Sequence, residues 1–302
     1  MGGWRKLGLV WRPSGGRWWA REYAYLPTPE ILDERIVRVY IASLDDQKFG
    51  RPGWVDVDAR DPTRVRAECE APLMDLGELG AFDDSGVTQS CLADVGGRRC
   101  LYYYGWQRCG RVPYQCFTGL AEADGDGFRR ASAVPVLDRT AAEPFFRSGP
   151  MVLRDGNRCR MWYVSAFRWT TVDGALYPDY VVRHAESADG LHWSTGGPVC
   201  IGHDSPDEFG ISRPWVVRDA DCFRMWYSVR SRTAPYRVGY AESADGLTWA
   251  RKDDEAGIGR SDDGWDAEMV CFPAVIDVRG KRLMFYNGNR HGATGFGVAV
   301  LE

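Results

Sequence analysis

Residues 185–193 read AESADGLHW, and residues 241–249 read AESADGLTW, fifty-six positions later. A catalytic motif seldom recurs in one chain, whereas a structural unit does. The surroundings repeat as well: SGPMVLRDGNRCRMWYVSAFRW (148–169) parallels SRPWVVRDADCFRMWYSVRSRT (212–233). Weaker copies of the same grammar are PTPEILDERIVRVYIASLD (27–45), TQSCLADVGGRRCLYYYGW (88–106) and CFPAVIDVRGKRLMFYNGN (271–289). Anchored on Pro29, Ser90, Pro150, Pro214 and Pro273, the spacings are 61, 60, 64 and 59 residues. Five units of this size account for the whole chain.

Within a unit, alternations such as RVRVYI and CRMWYV have the period of a strand, and RDGN and VRGK have the chemistry of turns. No segment carries a capped helical period. Each unit therefore reads as a four-stranded antiparallel meander, and the fold class is all-β: a five-bladed β-propeller in one domain. The blades run approximately 12–66, 67–132, 133–196, 197–253 and 254–302, the last completed by 4–11. That completion is expected because GFGVAVLE (295–302) stops before an outer strand, which WRKLGLVW (4–11) resembles. In the opening repeat, Ser-x-Asp-Gly is a turn in which Ser and Asp bind backbone N–H groups and Gly takes positive φ. The Trp beyond it is expected to pack between blades. The fragment EADGDGFRR (122–130) reads as a degraded copy of that turn, not as a calcium loop.

A net charge of −4 gives no reason to expect a nucleic-acid or anionic-membrane partner. The opening MGGWRKLGLVWRPSGG has no long apolar run, and the nine cysteines form no C-x-x-C pair. The expectation is reduced thiols in a cytoplasmic protein.

Five blades with S-x-D-G-x-x-W turns resemble the five-bladed glycoside hydrolase superfamily of arabinanases, β-xylosidases, invertases and mannoside phosphorylases. The stretches GELGAFDDSGV (77–87), RMWYSVR, YRVGYAESADGLTW and GWDAEMVCFP (264–273) look like a bacterial branch of that group. The resemblance implies an axial pocket where the innermost strands begin, holding carboxylates on blades one, two and three. At those positions this chain has LPTP, Thr88 and Ser148, none of them acidic. Acids stand nearby instead: Asp83 and Asp84 before the second inner strand, Glu208 before the fourth, Asp266 and Glu268 before the fifth.

Glycoside cleavage needs a proton donor and a second carboxylate. The expectation is Glu208 as donor and Asp83 or Asp266 as base or nucleophile; the alternative is that these acids anchor loops. Arg147, Arg168, Arg213, Arg230 and His291 are candidates for an anion receptor, or else neutralise the acids. Trp106 and Trp169, with Tyr104, offer faces to a sugar or pack as core. No cofactor is implied, although the oxygen groups expected on the axis suit calcium. A catalytic zinc is not expected from four scattered histidines. The leading function is a glycosidase-like enzyme acting on a small saccharide or glycoconjugate, anionic if the arginines contact it. The alternatives are a non-catalytic sugar-binding protein and a phosphate-dependent glycoside phosphorylase.

Overall fold

The computed structural model describes residues 2–302 and is built almost wholly of strands. They are β1 (Trp4–Trp11), β2 (Glu22–Ile31), β3 (Ile36–Leu44), β4 (Gly50–Asp58) and β5 (Val65–Glu68). There follow β6 (Gly86–Val95), β7 (Arg98–Arg108), β8 (Tyr114–Asp124) and β9 (Gly127–Arg130). The next group is β10 (Arg147–Asp155), β11 (Arg158–Val172), β12 (Ala175–Ser187) and β13 (Val199–Ile201). The chain continues with β14 (Glu208–Arg218), β15 (Phe223–Ser231), β16 (Arg237–Ser243) and β17 (Ala250–Arg251). It ends with β18 (Cys271–Val278), β19 (Lys281–Asn287) and β20 (Phe296–Leu301).

Pairing within β2–β5, β6–β9, β10–β13 and β14–β17 is antiparallel and sequential, giving one meander per repeat. In the last meander, β18–β19–β20, the fourth strand is β1, which pairs antiparallel with β20 from Trp4↔Leu301 to Trp11↔Phe296. The two ends of the chain thus share a sheet, and β20 is not left with a free edge. Single parallel contacts, Gly50↔Gly86 and Tyr180↔Gly210, join neighbouring meanders into two eight-stranded sheets. The first strands pack in succession, β2 on β6, β6 on β10, β10 on β14, β14 on β18, and β18 on β2.

Alternation places apolar side chains on both faces of each meander, so that the core is a set of layers between meanders. Val37, Val39 and Ile41 of β3 pack with Phe285, Phe296 and Val298 from the last meander. The opening repeat has a specific part in this layering. Ser187 Oγ accepts the Gly190 amide at 2.8 Å, and Asp189 Oδ1 accepts the Leu191 and His192 amides at 2.9 Å. The Gly190 carbonyl, freed from local bonding, accepts the Tyr102 hydroxyl of the preceding meander at 2.7 Å. Ser243, Asp245 and Gly246 repeat this geometry, and there the Trp162 indole donates to the Gly246 carbonyl at 2.8 Å. Trp193 and Trp249 stand edge-on to Tyr102 and Trp162 at 6.0 and 6.2 Å. The duplicated motif is therefore a latch from one repeat to the one before it.

Gly190 has φ +74°, and a Cβ there would lie 2.6 Å from the Tyr102 hydroxyl and 2.7 Å from Val95. Gly196 has nearly the same φ, +73°, but faces open space. Gly190→Ala is expected to destabilise the protein by about 2–3 kcal/mol, and Gly196→Ala by about 1 kcal/mol, in urea unfolding. Equal losses would show that the latch contributes nothing beyond backbone strain.

Candidate functional site

Each first strand is interrupted by a bulge near its start, with register shifts between Tyr25 and Thr28, Gln89 and Cys91, Ser148 and Met151, Ser212 and Trp215, and Cys271 and Ala274. In four of the five the residue before a proline has positive φ: Leu26 (52°), Gly149 (58°), Arg213 (53°) and Phe272 (55°). A bulge re-aims a side chain that regular pleating would send between layers. Arg213 shows the result. From the fourth meander its guanidinium donates to the Ser90 carbonyl of the second and to the Pro27 carbonyl and Thr28 hydroxyl of the first. It is buried, its Nε has no partner among the described residues, and burial lowers its pKa to about 10. The Ser90 and Pro27 carbonyls and the Thr28 hydroxyl are thus occupied by a guanidinium. Among the described residues no three His, Cys, Asp or Glu side chains converge as a metal site.

The acids singled out in the sequence hold the loops that lead into the first strands. Asp83 is buried and accepts the Tyr103 hydroxyl at 3.0 Å and Arg130 Nε at 2.7 Å. Asp266 accepts the Tyr286 hydroxyl at 2.9 Å and Lys6 Nζ at 2.7 Å. Glu143, which sequence reasoning missed, accepts the Tyr163 hydroxyl at 3.0 Å and Arg147 Nη1 at 3.3 Å. In all three the acid stands twenty residues before the tyrosine. That fixed offset was the signal available in the sequence. The tyrosine ring needs room on the neighbouring strand, and glycine supplies it. A Cβ on Gly119 or Gly239 would sit 2.2 Å from the ring of Tyr103 or Tyr227.

In the fourth meander the clamp is larger. Tyr227 donates to Asp253, which shares Arg251 and Arg237 with Glu208. Glu208 is buried and accepts both Arg251 nitrogens at 2.8 and 2.9 Å, Arg237 Nη2 at 2.9 Å and the Asp204 amide at 2.8 Å. Burial pushes its pKa up. The Arg251 and Asp204 hydrogen bonds and the two arginine charges outweigh burial and hold the carboxyl below its usual value. A carboxylate held below its usual pKa by four donors is poorly suited to giving a proton, in contrast to the donor role expected for Glu208. Asp84 is a loop anchor too, accepting the Gly80 amide and the Ser85 hydroxyl, both at 2.9 Å. Glu268 differs: its side chain is exposed, and its backbone amide is held by Asn289 at 2.7 Å.

The expected arginines divide in the same way. Arg147 is spent on Glu143 and the Asp138 carbonyl. Arg168 is exposed but bonded to Asp179 at 2.7 Å. Trp106 fills the seam between Gly50 and Gly86, and Trp169 packs edge-on to Tyr114 and Phe146, so both serve packing.

Arg230 remains. It ends β15, on the face where the first strands begin, and is only 9% exposed. Its guanidinium lies 4.4 Å from the ring of Phe209, 4.8 Å from Tyr180 and 5.1 Å from Tyr177. It donates Nη2 to the Pro178 carbonyl at 2.6 Å, and its buried Nε has no partner among the described residues. Tyr236 approaches Tyr180 oxygen to oxygen at 3.5 Å and carries His291 edge-on at 4.9 Å. Burial and the charge of Arg230 lower the His291 pKa, keeping the imidazole neutral near pH 7. Burial raises Tyr236, Tyr114 and Tyr104, so these phenols are hydrogen-bond donors and not nucleophiles at neutral pH. A cavity of about 350 Å³ lies at the other ends of the first strands, among Met151, Trp215, Val216 and Val275. Its acids Asp155 and Asp277 are paired to Arg218 and Arg282, so it offers no free carboxylate.

No family model matches the chain. It is 40% identical over 300 residues to uncharacterized protein Rv1502 of Mycobacterium tuberculosis strain ATCC 25618 / H37Rv, covering 99% of both chains. The protein MT1551 of strain CDC 1551 / Oshkosh matches to the same extent. The chain belongs to the family of Rv1502.

Solved structures extend the likeness of this Rv1502 family member at the level of the fold. A glycoside hydrolase superposes with a TM-score of 0.77 at 18% identity, covering 99% of this chain and 91% of that one. A thermostable family-43 glycoside hydrolase gives 0.70 at 14%, covering 92% and 88%. A structure from work on mannoside phosphorylases and β-1,2-mannosidic glycoside hydrolases gives 0.72 at 13%, covering 99% and 93%. The all-β fold is that of glycoside hydrolases and mannoside phosphorylases; a shared fold does not carry a reaction with it.

Because Glu208 titrates below its ordinary value of 4.5, its clamp stabilises the protein fully above that pH and less as pH falls through the lowered value. Glu208→Gln is expected to cost about 2–3 kcal/mol at pH 7, where it leaves Asp253 as the one carboxylate facing both Arg251 and Arg237. The gap from wild type should narrow below pH 4. Parallel stability curves from pH 7 to pH 3 would show that Glu208 is not clamped in its ionised form.

Proposed function

We propose that this family member is a five-bladed β-propeller that takes a small anionic saccharide on the face where the inner strands begin and acts on its glycosidic bond. The blades are those expected from the repeats, 12–66, 67–132, 133–196, 197–253 and 254–302 with 4–11. The succession of first strands from β2 to β18 and back to β2 supports the ring. Arg230 carries the functional reading: a nearly buried guanidinium, ringed by aromatic faces and with an unpartnered nitrogen, is a receptor for a carboxylate or phosphate oxygen. The rings of Tyr180, Tyr236 and Phe209 supply surfaces for sugar C–H groups. Glu268 is an exposed carboxylate whose backbone is held by Asn289, two residues before His291, and is assigned the proton donor. Asp83, Asp84, Glu208 and Asp266 are assigned to the scaffold.

One observation favours a second reading, sugar binding without cleavage. The buried acids nearest the first strands are all neutralised by cations and phenols, which leaves no ready carboxylate pair. A panel of acidic and neutral oligosaccharides, followed by calorimetry and mass spectrometry of products, separates the two. The first reading expects products from an acidic member, loss of about 100-fold or more in kcat for Glu268→Gln, and a kcat close to wild type for Asp83→Asn despite lower stability. Arg230→Met should weaken binding of the acidic sugar by about 10-fold or more. Tight binding with no product establishes the second reading, and turnover only with added phosphate identifies a phosphorylase. Equal affinity for acidic and neutral members would remove Arg230 as the receptor.

A further inference from the structure

Bonded to the same stretch of β12 as Arg230 is a histidine that none of the preceding roles uses. His203 lies on the loop between β13 and β14, with its side chain 17% exposed. Its Nε2 is 3.2 Å from the Tyr180 carbonyl and 3.3 Å from Asp179 Oδ1. A carbonyl can only accept, so in the neutral ring the proton sits on Nε2 and the lone pair on Nδ1. Asp179 is completely buried. Its Oδ2 accepts Arg168 Nε at 2.7 Å, while Oδ1, although close to the imidazole, lies out of line for a hydrogen bond and has no other partner. A purely structural buried carboxylate normally has both oxygens bonded, and a purely structural imidazole both nitrogens. Here one oxygen of Asp179 is buried and unsatisfied, while His203 Nδ1 has no protein partner and is open to water. Three consecutive residues tie this pair to the anion receptor. The Pro178 carbonyl binds Arg230, Asp179 faces His203, and the Tyr180 ring covers the Arg230 guanidinium at 4.8 Å.

We propose that His203 is the general base of the site and Asp179 its positioning residue, an inference that rests on the glycoside-cleaving reading above. Nδ1 removes a proton from water as the water oxygen bonds to the anomeric carbon. The glycosidic C–O bond breaks with its electron pair on the leaving oxygen, which takes the proton of Glu268. Imidazolium then returns its proton to solvent, and Glu268 regains one. The buried Asp179 charge, 3.3 Å from the ring, stabilises the imidazolium formed in the first step. This arrangement supplies from an Asp–His pair the base that the clamped carboxylates do not provide.

The test uses the full chain and 4-nitrophenyl glycosides, both neutral sugars and hexuronic acids, because 4-nitrophenolate leaves without protonation and so isolates the base from Glu268. His203→Ala is expected to lower kcat by about 100-fold or more with KM within threefold. Added imidazole should restore part of the rate, a recovery that a structural loss would not give. Asp179→Asn should lower kcat by about 10-fold with KM unchanged and with no rescue by imidazole, and a melting temperature near that of wild type would separate this from misfolding. A kcat for His203→Ala within threefold of wild type, or a loss that imidazole leaves untouched, overturns the proposal while leaving the glycoside-cleaving reading in place. Wild-type protein that cleaves no member of the panel overturns that reading, and the role of His203 with it.

Discussion

The buried clamp of tyrosine hydroxyl, carboxylate and cation is the interaction on which the architecture depends. It occurs as Tyr103–Asp83–Arg130, Tyr163–Glu143–Arg147 and Tyr286–Asp266–Lys6, and in extended form as Tyr227–Asp253–Arg251 with Glu208. Each joins a loop leading into a first strand to the body of its own meander. A buried carboxylate is costly alone and tolerated when fully bonded, so the clamp fixes the loop in one place. In each the carboxylate is bonded to both a phenol and a cation.

With the acids occupied, the centre is dominated by cations and phenols. Arg213 reaches carbonyls of two other repeats without a carboxylate partner, and Arg230 sits among aromatic rings with a nitrogen that has no partner among the described residues. Both are held in surroundings where a guanidinium is poorly hydrated.

Much of the fold was legible in the sequence because it depends on local periodicity. The S-x-D-G turns, the strand alternation and the fit of residues 4–11 beside 295–302 are all present in the folded chain. The first repeat was harder to read, because thirteen residues beyond its anchor Pro29 stands Ala42, where the other four repeats carry the clamp tyrosine. At the site, proximity in sequence misled. Asp83, Glu208 and Asp266 precede first strands as expected, but each turns to a tyrosine or arginine that the chain reaches only after folding. Arg230 was legible from its place after RMWYS. Asp179 and His203 were not, since they belong to different repeats and share no motif.

The sequence by itself determined the repeat length, the all-strand content, the turn chemistry and the pairing of the two chain ends, because each follows from side-chain period and from residues adjacent in the chain. Only the tertiary structure decided which ionisable groups are neutralised and which are left with an unsatisfied atom. That depends on partners twenty to more than two hundred residues away, such as Lys6 on Asp266 and Arg213 on Thr28, and on burial, which sets the strength of each of those contacts.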